Sequence, residues 1–359
     1  MNLSFTEEQE ALRASARQVL AAEAPMSVVR EAIDDPDRWR SLWKTVAALG
    51  WPALCLPGPA GGLDGDVVSL VGLLEVAGEA LLPAPLLSTA GLAAPLLIAG
   101  GAGPDLLAAV AGGAVATAAL HGADGSVDAA PPATWDGHSL QGQAGFVPDG
   151  ARASLIVVLA EHDGRSVLAA VRSGAGVDVV AVASVDPTRP LAEVRLDVPG
   201  ERVALLPGDP GRGLDTARTA VAADLVGVAA HALARTVEHV RTREQFGRPI
   251  GAFQAVKHRL ADAYVAVERA RSLTYRAAML LDDPDAAGVP VAAALAKAAA
   301  SEAAVLVAKA GVQLHGAVGM TWEHDMHLFL RRARQGALLL GDARHHYRRA
   351  ASRHLSGDG

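Results

Sequence analysis

"REQFGRPIGAFQAVKHRLAD", residues 243–262, is the stretch on which the reading of this chain turns. Helix-compatible sequence runs into it from Val221 and out of it through Val267. Between them, FGRPIG (246–251) cannot be helical, because two glycines and a proline interrupt it. The spacing therefore predicts two long helices joined by a tight elbow, which opens with Arg243 and Phe246 and closes on Gln254. In the incoming helix, Val226, Ala229, Leu233, Val237 and Val240 repeat at helical spacing, giving it one apolar face.

Outward from the elbow, runs at 214–245, 252–281, 291–315 and 323–355 predict an up-and-down bundle of four helices, filling residues 209–359. Upstream, residues 113–208 alternate short β-branched runs such as "SLIVVLA" and "VDVVAVASV" with Gly, Asp and Pro, the pattern of a small antiparallel β-sandwich or barrel. Residues 1–112 read as helices, the first opened by a capping box at Thr6 and Gln9. The fold class is α+β: helical domain, middle β domain, helical bundle.

With 359 residues, 51% of them apolar, the chain is long enough for two or three domains. A net charge of −7 argues against a nucleic-acid partner. Cys55 stands alone, which excludes an intrachain disulfide and a cysteine metal cage and fits a reducing cytoplasm. The N-terminus has neither the basic nor the apolar region of a signal peptide. Residues 80–104 carry no charge, but Pro83, Pro85, Pro95 and Pro104 break them up, so buried helices are expected and no membrane span.

The elbow fits the pattern R-x-x-F-G-x-x-I-x-x-x-Q, and "QLHGAVGM" (313–320) fits Q-x-x-G-x-x-G. In this order and spacing, over essentially the whole chain, the two motifs resemble the acyl-CoA dehydrogenase family. The resemblance implies FAD-dependent oxidation of an acyl-CoA thioester to its α,β-enoyl form. A carboxylate base would take the α-proton and the flavin would take the β-hydride. It also implies that Arg243, Phe246, Gln254, Gln313 and Gly316 contact the ADP half of an FAD whose ring sits in a neighbouring subunit. A planar guanidinium suits a pyrophosphate. Asp215 and Arg218 match family positions that touch CoA. The residues by themselves also allow plainer readings: a solvated arginine, a glycine-rich helix cap, and a surface i,i+3 charge pair.

The departures divide the chain's functions. The flavin-contacting Thr-Glu-Pro loop is replaced by "ALHGADGSVDAA", and the later flavin strand by "GFVPDG" (145–150). The two positions where the family carries its glutamate base hold Leu340 and Ala217, and neither can abstract a proton. Asp224, on the apolar face of the first bundle helix, is the remaining candidate for a catalytic base. The alternative is a core aspartate paired with His231 or an arginine from another helix. Glu323, His324, Asp325 and His327 form no expected metal site, since Thr321 would cap a helix there and the acids would suit its N-terminus. His345 and His346 are expected to be solvated.

What is kept is what a subunit contributes across an interface; what is lost is what it needs in its own pocket. The chain thus resembles the shorter, base-lacking member of heterotetrameric (α2β2) acyl-CoA dehydrogenases, which act on bulky acyl groups such as sterol side chains. An electron-transfer flavoprotein is the usual acceptor in the family. Two other readings stay open: a homotetramer using Asp224, and a flavin-free binding or structural relative.

Overall fold

The computed structural model describes residues 5–127 and 130–355. The Thr6 hydroxyl accepts the Gln9 backbone N–H at 3.2 Å, and the Gln9 side chain accepts that of Thr6 at 3.0 Å. This is the expected capping box, and it opens α1 (Glu7–Glu23). The helical N-terminal part continues through α2 (Met26–Asp34), α3 (Trp39–Ala48), α4 (Val67–Glu79), α5 (Ala94–Ala99) and α6 (Pro104–Ala111). Backbone proximity divides the chain into two compact units. One comprises Asp35–Leu70 and Pro83–Ala220; the other takes the residues up to Asp34, Val71–Leu82, and those from Val221 on.

Among the described residues, the first unit holds one eight-stranded sheet. Its strands are β1 (Ala116–Ala119), β2 (Ala133–Trp135), β3 (Ser139–Pro148), β4 (Leu155–His162), β5 (Arg165–Arg172), β6 (Val177–Val182), β7 (Leu191–Pro199) and β8 (Val203–Leu206). The order is β6-β7-β3-β2-β4-β5-β8, with β1 beside β4. Most pairings are antiparallel. The β4–β5 hairpin turns on Asp163 and Gly164, both at positive φ (48° and 75°), which matches the twist of the flanking strands. Two pairings differ from the antiparallel expectation: β1 and β2 each run parallel to β4. Neither is joined to β4 by a hairpin, so turn chemistry does not dictate direction there. The "GFVPDG" segment is a bulge at the end of β3, with Phe146 and Asp149 at positive φ (54° and 53°).

In the second unit the bundle consists of α7 (Pro210–Thr242), whose residues from Val221 on belong here, α8 (Gln254–Asp282), α9 (Val289–His315), α10 (Met326–Leu338) and α11 (Ala343–Leu355). A two-residue antiparallel pair, β9 (Glu244–Gln245) with β10 (Arg248–Pro249), forms the elbow. The run expected as one helix over 323–355 is therefore two. The break falls at Leu340 and Gly341, with φ of 61° and 103°. Lys297, fully buried in the alanine-rich α9, stabilises it. Its ammonium donates to the carbonyls of Ala337 (3.2 Å) and Gly341 (3.1 Å) and to Ser301 Oγ (2.8 Å). A cation at the C-terminal end of α10 also complements that helix's dipole. Two helices, Pro210–Thr242 and Val289–Met320, are long and apolar enough to cross a membrane, but 72% of each apolar window is buried inside the protein.

Within the same unit α4 and α7 cross at backbone contact. A Cβ built on Gly227 would lie 1.9 Å from the Glu75 carbonyl oxygen, and one on Gly78 would lie 2.2 Å from that of Asp224. No side chain there can swing aside, so only glycine permits the approach. Gly227→Ala is expected to lower unfolding stability by at least about 1–3 kcal/mol, read as a shifted urea midpoint with unchanged slope. Near this crossing, Glu75 is buried and accepts from Arg271 Nε (3.0 Å) and the Tyr275 hydroxyl (2.6 Å), with Arg13 at 3.6 Å. Burial, with the Glu75 charge next, pushes the Tyr275 pKa up, so the phenol stays a donor. These groups tie α1, α4 and α8 together. His346, expected in solvent, is instead fully buried. Thr321 does not cap α10; it ends the preceding turn, its hydroxyl donating to the Val318 carbonyl.

Candidate functional site

Phe246 and Gly247 form the tip of the elbow, at φ 55° and 75°, the pair of left-handed residues that a two-residue hairpin requires. Glycine accepts this freely, whereas an aromatic does not. Even so, Phe246 stands 91% exposed, with its ring edge-on to Phe253 at 6.0 Å. Arg248 stacks on the same Phe253 ring, its guanidinium 4.2 Å from the ring centre. The strain opposes the stability of the isolated chain, and the exposed ring recovers none of it by burial. Phe246→Gly is therefore expected to raise unfolding stability by about 1 kcal/mol, checked by thermal melting. Arg243 follows the last turn of α7, its N–H bonded to the His239 carbonyl at 2.8 Å, and its side chain is exposed. Gln254 is the first residue of α8 and is also exposed.

The second motif closes α9. Gln313 is exposed in the last turn, and Gly316 takes φ 70°, ψ −150°, a conformation open essentially to glycine alone. A Cβ on Gly316 would meet nothing within 4 Å, so open space lies beside it. The structure brings the two motifs together through histidines: His239, one turn before Arg243, stacks on His315, two residues after Gln313, at 4.1 Å between ring centres. The motif patterns alone do not single out this contact. Its signal is the i,i+4 spacing of His239 and Arg243 on one helix face.

The candidate base lies elsewhere. Asp224 is fifteen residues from His239, about 22 Å along α7. It is 2% exposed, and its Oδ1 accepts from Arg332 Nη1 at 3.4 Å. Arg332, 1% exposed, also points Nη2 at the carbonyls of Leu81 and Leu82 (3.4 and 3.5 Å). Those residues form the closing turn of α4. There the Leu82 N–H bonds back to Ala77 and that of Leu81 to Gly78, with Leu81 left-handed at φ 48°. Asp224 thus holds an arginine against the end of another helix. His231 does not pair with Asp224 but stacks on Phe329 at 4.8 Å. Burial and the neighbouring Arg235 lower its pKa.

Of the two family positions for the base, Leu340 is buried in the α10–α11 break, and Ala217 is fully buried in α7. In the other unit, Asp215 and Arg218 form a 2.6 Å ion pair, as their i,i+3 spacing allows. The pair is buried, Asp215 at 2% exposure, rather than the surface pair that such spacing usually makes. Among the described residues, no group of three or more His, Cys, Asp or Glu side chains could hold a metal ion. The stretch compared with the Thr-Glu-Pro loop lies partly outside the described residues; His121–Ser126 form a turn with Gly125 at φ 82°.

Comparison with known proteins decides the family. Residues 211–355 match the acyl-CoA dehydrogenase C-terminal domain, and residues 6–103 the N-terminal domain. The chain belongs to the acyl-CoA dehydrogenase family. That family consists of oxidoreductases acting on the CH–CH unit of acyl-CoA. The chain is 34% identical over 350 residues to the acyl-CoA dehydrogenase IpdE2 of Mycobacterium tuberculosis, spanning 96% of this chain and 97% of that one. Among solved structures it is similar to a chain of the ChsE4-ChsE5 complex from Mycobacterium tuberculosis, with TM-score 0.89, 30% identity and 99% coverage of both chains. It is equally similar to the Tcur3481-Tcur3483 steroid ACAD G363A variant, with TM-score 0.89, 30% identity and 98% coverage of both. The helical, β, helical order expected of an acyl-CoA dehydrogenase is thus the fold observed.

Proposed function

We propose that this chain is a subunit of a heteromeric, FAD-dependent acyl-CoA dehydrogenase, in which it completes the cofactor site of a homologous catalytic partner. The observation that carries the proposal is a division of labour. Arg243, Phe246, Gln254, Gln313 and Gly316 are exposed around the elbow and the end of α9, while both positions for the family's base are apolar and buried.

The residues fit an FAD pyrophosphate. Arg243 offers a planar fork, Gly316 opens a space that a side chain would narrow, and Phe246 and Gln313 offer an aromatic face and an amide. Bound there, FAD supplies the acceptor for the substrate hydride. This chain's share is to bind and orient the ADP half; the partner supplies the base and the walls around the flavin ring. Large exposed apolar side chains on the same unit support a covering partner: Phe246 on the elbow, Tyr264 and Val265 on α8, and Met320 and Trp322 before α10. Asp224 has a structural role with Arg332. Asp215 and Arg218 pair with each other and are largely buried, which leaves little of either exposed to CoA.

The substrate is an acyl-CoA with a bulky, steroid-derived acyl group, a reading supported by the similarity to the steroid ACAD. An electron-transfer flavoprotein is the electron acceptor. The experiment is to purify the chain alone and after co-expression with its genomic neighbour. Flavin colour and acyl-CoA-dependent dye reduction are expected only in the second preparation. A yellow, active protein made from this chain alone, inactivated by Asp224→Asn, would favour a homotetramer instead.

A further inference from the structure

Three imidazoles stand in a column on the face that carries the two cofactor motifs. His239 comes from the end of α7, His315 is the last residue of α9, and His324 lies in the turn before α10. His315 is in the middle and buried, 4.1 Å from His239 and 4.5 Å from His324 between ring centres. The outer two are half-buried. Hydrogen bonds fix two of the neutral tautomers. His315 Nδ1 lies 2.7 Å from the Gly311 carbonyl oxygen, which can only accept, so the proton is on Nδ1. The Met326 N–H donates to His324 Nδ1 at 3.1 Å, which puts that ring's proton on Nε2.

The charges around the column are almost all positive. Arg235 and Arg243 face it from α7, and Arg30 from α2. Among the described residues, the carboxylate that acts on it, Asp325, is already paired with Arg30 at 2.7 Å. Among the described residues neither Arg235 nor Arg243 has an acidic partner, in a chain whose net charge is −7. Burial, followed by neighbouring cations and imidazoles, lowers the pKa of His239 and His324 below the ordinary value. Burial and Arg235 lower that of His315 against its bond to Gly311. An anion docked here would reverse the balance and draw protons onto His239 and His315, while His324, whose Nδ1 already accepts the Met326 N–H, stays neutral.

We propose that His239 and His315 form a proton-dependent anion subsite, beside which His324 stays neutral and donates from Nε2, and that it adds to Arg243 in holding the pyrophosphate of a bound dinucleotide. The inference rests on the proposed role of Arg243. Its sign follows from linkage. The bound anion raises the imidazole pKa, so binding takes up protons. Affinity then increases as pH falls from the raised bound-state value to the lowered free-state value, and is flat outside that window. A ring that holds its proton tenfold more tightly beside the anion makes the anion bind tenfold more tightly across that window.

The probe is ADP-ribose, a pyrophosphate diester whose own phosphates do not titrate near neutrality. Calorimetry with the full chain is expected to show binding about tenfold tighter at about pH 5.5 than at about pH 8, with proton uptake visible in buffers of different ionisation enthalpy. His239→Gln spares the buried central ring and is expected to lose most of the pH response, whereas His324→Gln, at a ring that stays neutral, keeps it. His138→Gln, an exposed histidine of the other unit, keeps the wild-type response. A pH-independent wild-type affinity, or an unchanged pH slope in His239→Gln, overturns the subsite. If Arg243→Ala still weakens binding in that case, the cofactor reading survives. If Arg243→Ala has no effect, or ADP-ribose does not bind, both fall together.

Discussion

Arg332→Ala is expected to lower unfolding stability by about 3–5 kcal/mol, a drop in melting temperature on the order of 10 °C. The reason is the Asp224 carboxylate, which would remain buried without its guanidinium, while the carbonyls of Leu81 and Leu82 lose a donor. The loss comes from breaking the pair, not from any large net gain in making it, because desolvating both charges offsets most of their attraction. The double variant Asp224→Leu with Arg332→Met is accordingly expected to recover most of the lost stability. Asp224→Asn is expected to destabilise as well. A full-length Asp224→Asn protein with an unchanged melting temperature and abolished turnover would instead mark Asp224 as the base.

Arg243→Ala is the complementary case. The side chain is exposed, so removing it should leave the melting temperature of the chain unchanged. A charge-assisted bond to phosphate contributes about 1.5–3 kcal/mol, so the dissociation constant of FAD from the partnered enzyme should rise roughly 10- to 100-fold. Arg243→Lys should recover only part of this, since an ammonium matches one oxygen at a time where the guanidinium matches two. Flavin fluorescence on dilution of the complex reads both. An arginine whose loss changes neither stability nor flavin retention would be an ordinary solvated side chain.

Much of this is legible in the amino-acid sequence. Glycine and proline between two helical periodicities place the elbow at Phe246–Gly251, and the capping pattern places the start of α1, because both depend on neighbours in sequence. The base positions at Leu340 and Ala217 can likewise be counted off from the motifs. What stayed hidden depends on partners far apart in the chain. The break between α10 and α11 needs Lys297, about forty residues earlier; "GALLLGDARHH" carries two glycines but no proline, and reads as helix on local propensity. The parallel pairing of β1 and β2 with β4 likewise needs the strands that lie between them in sequence. His346 reads as solvated because adjacent histidines point different ways around a helix, yet one of those ways leads into the core. The histidine column draws on three separate elements, and in sequence His324 reads only as one of four residues that form no metal site beside an expected helix start. The Asp224–Arg332 pair was visible only as a type of partner, not as a residue.

The most direct measurement of the central claim is the ratio of flavin to polypeptide in the purified heteromeric complex, from flavin absorbance and quantitative amino-acid analysis. A chain that contributes only the ADP-binding half of a partner's site predicts half as many flavins as polypeptide chains. In the complex carrying Arg243→Ala the flavins should be largely lost on gel filtration. One flavin for every polypeptide, or flavin bound firmly by this chain on its own, would contradict the account.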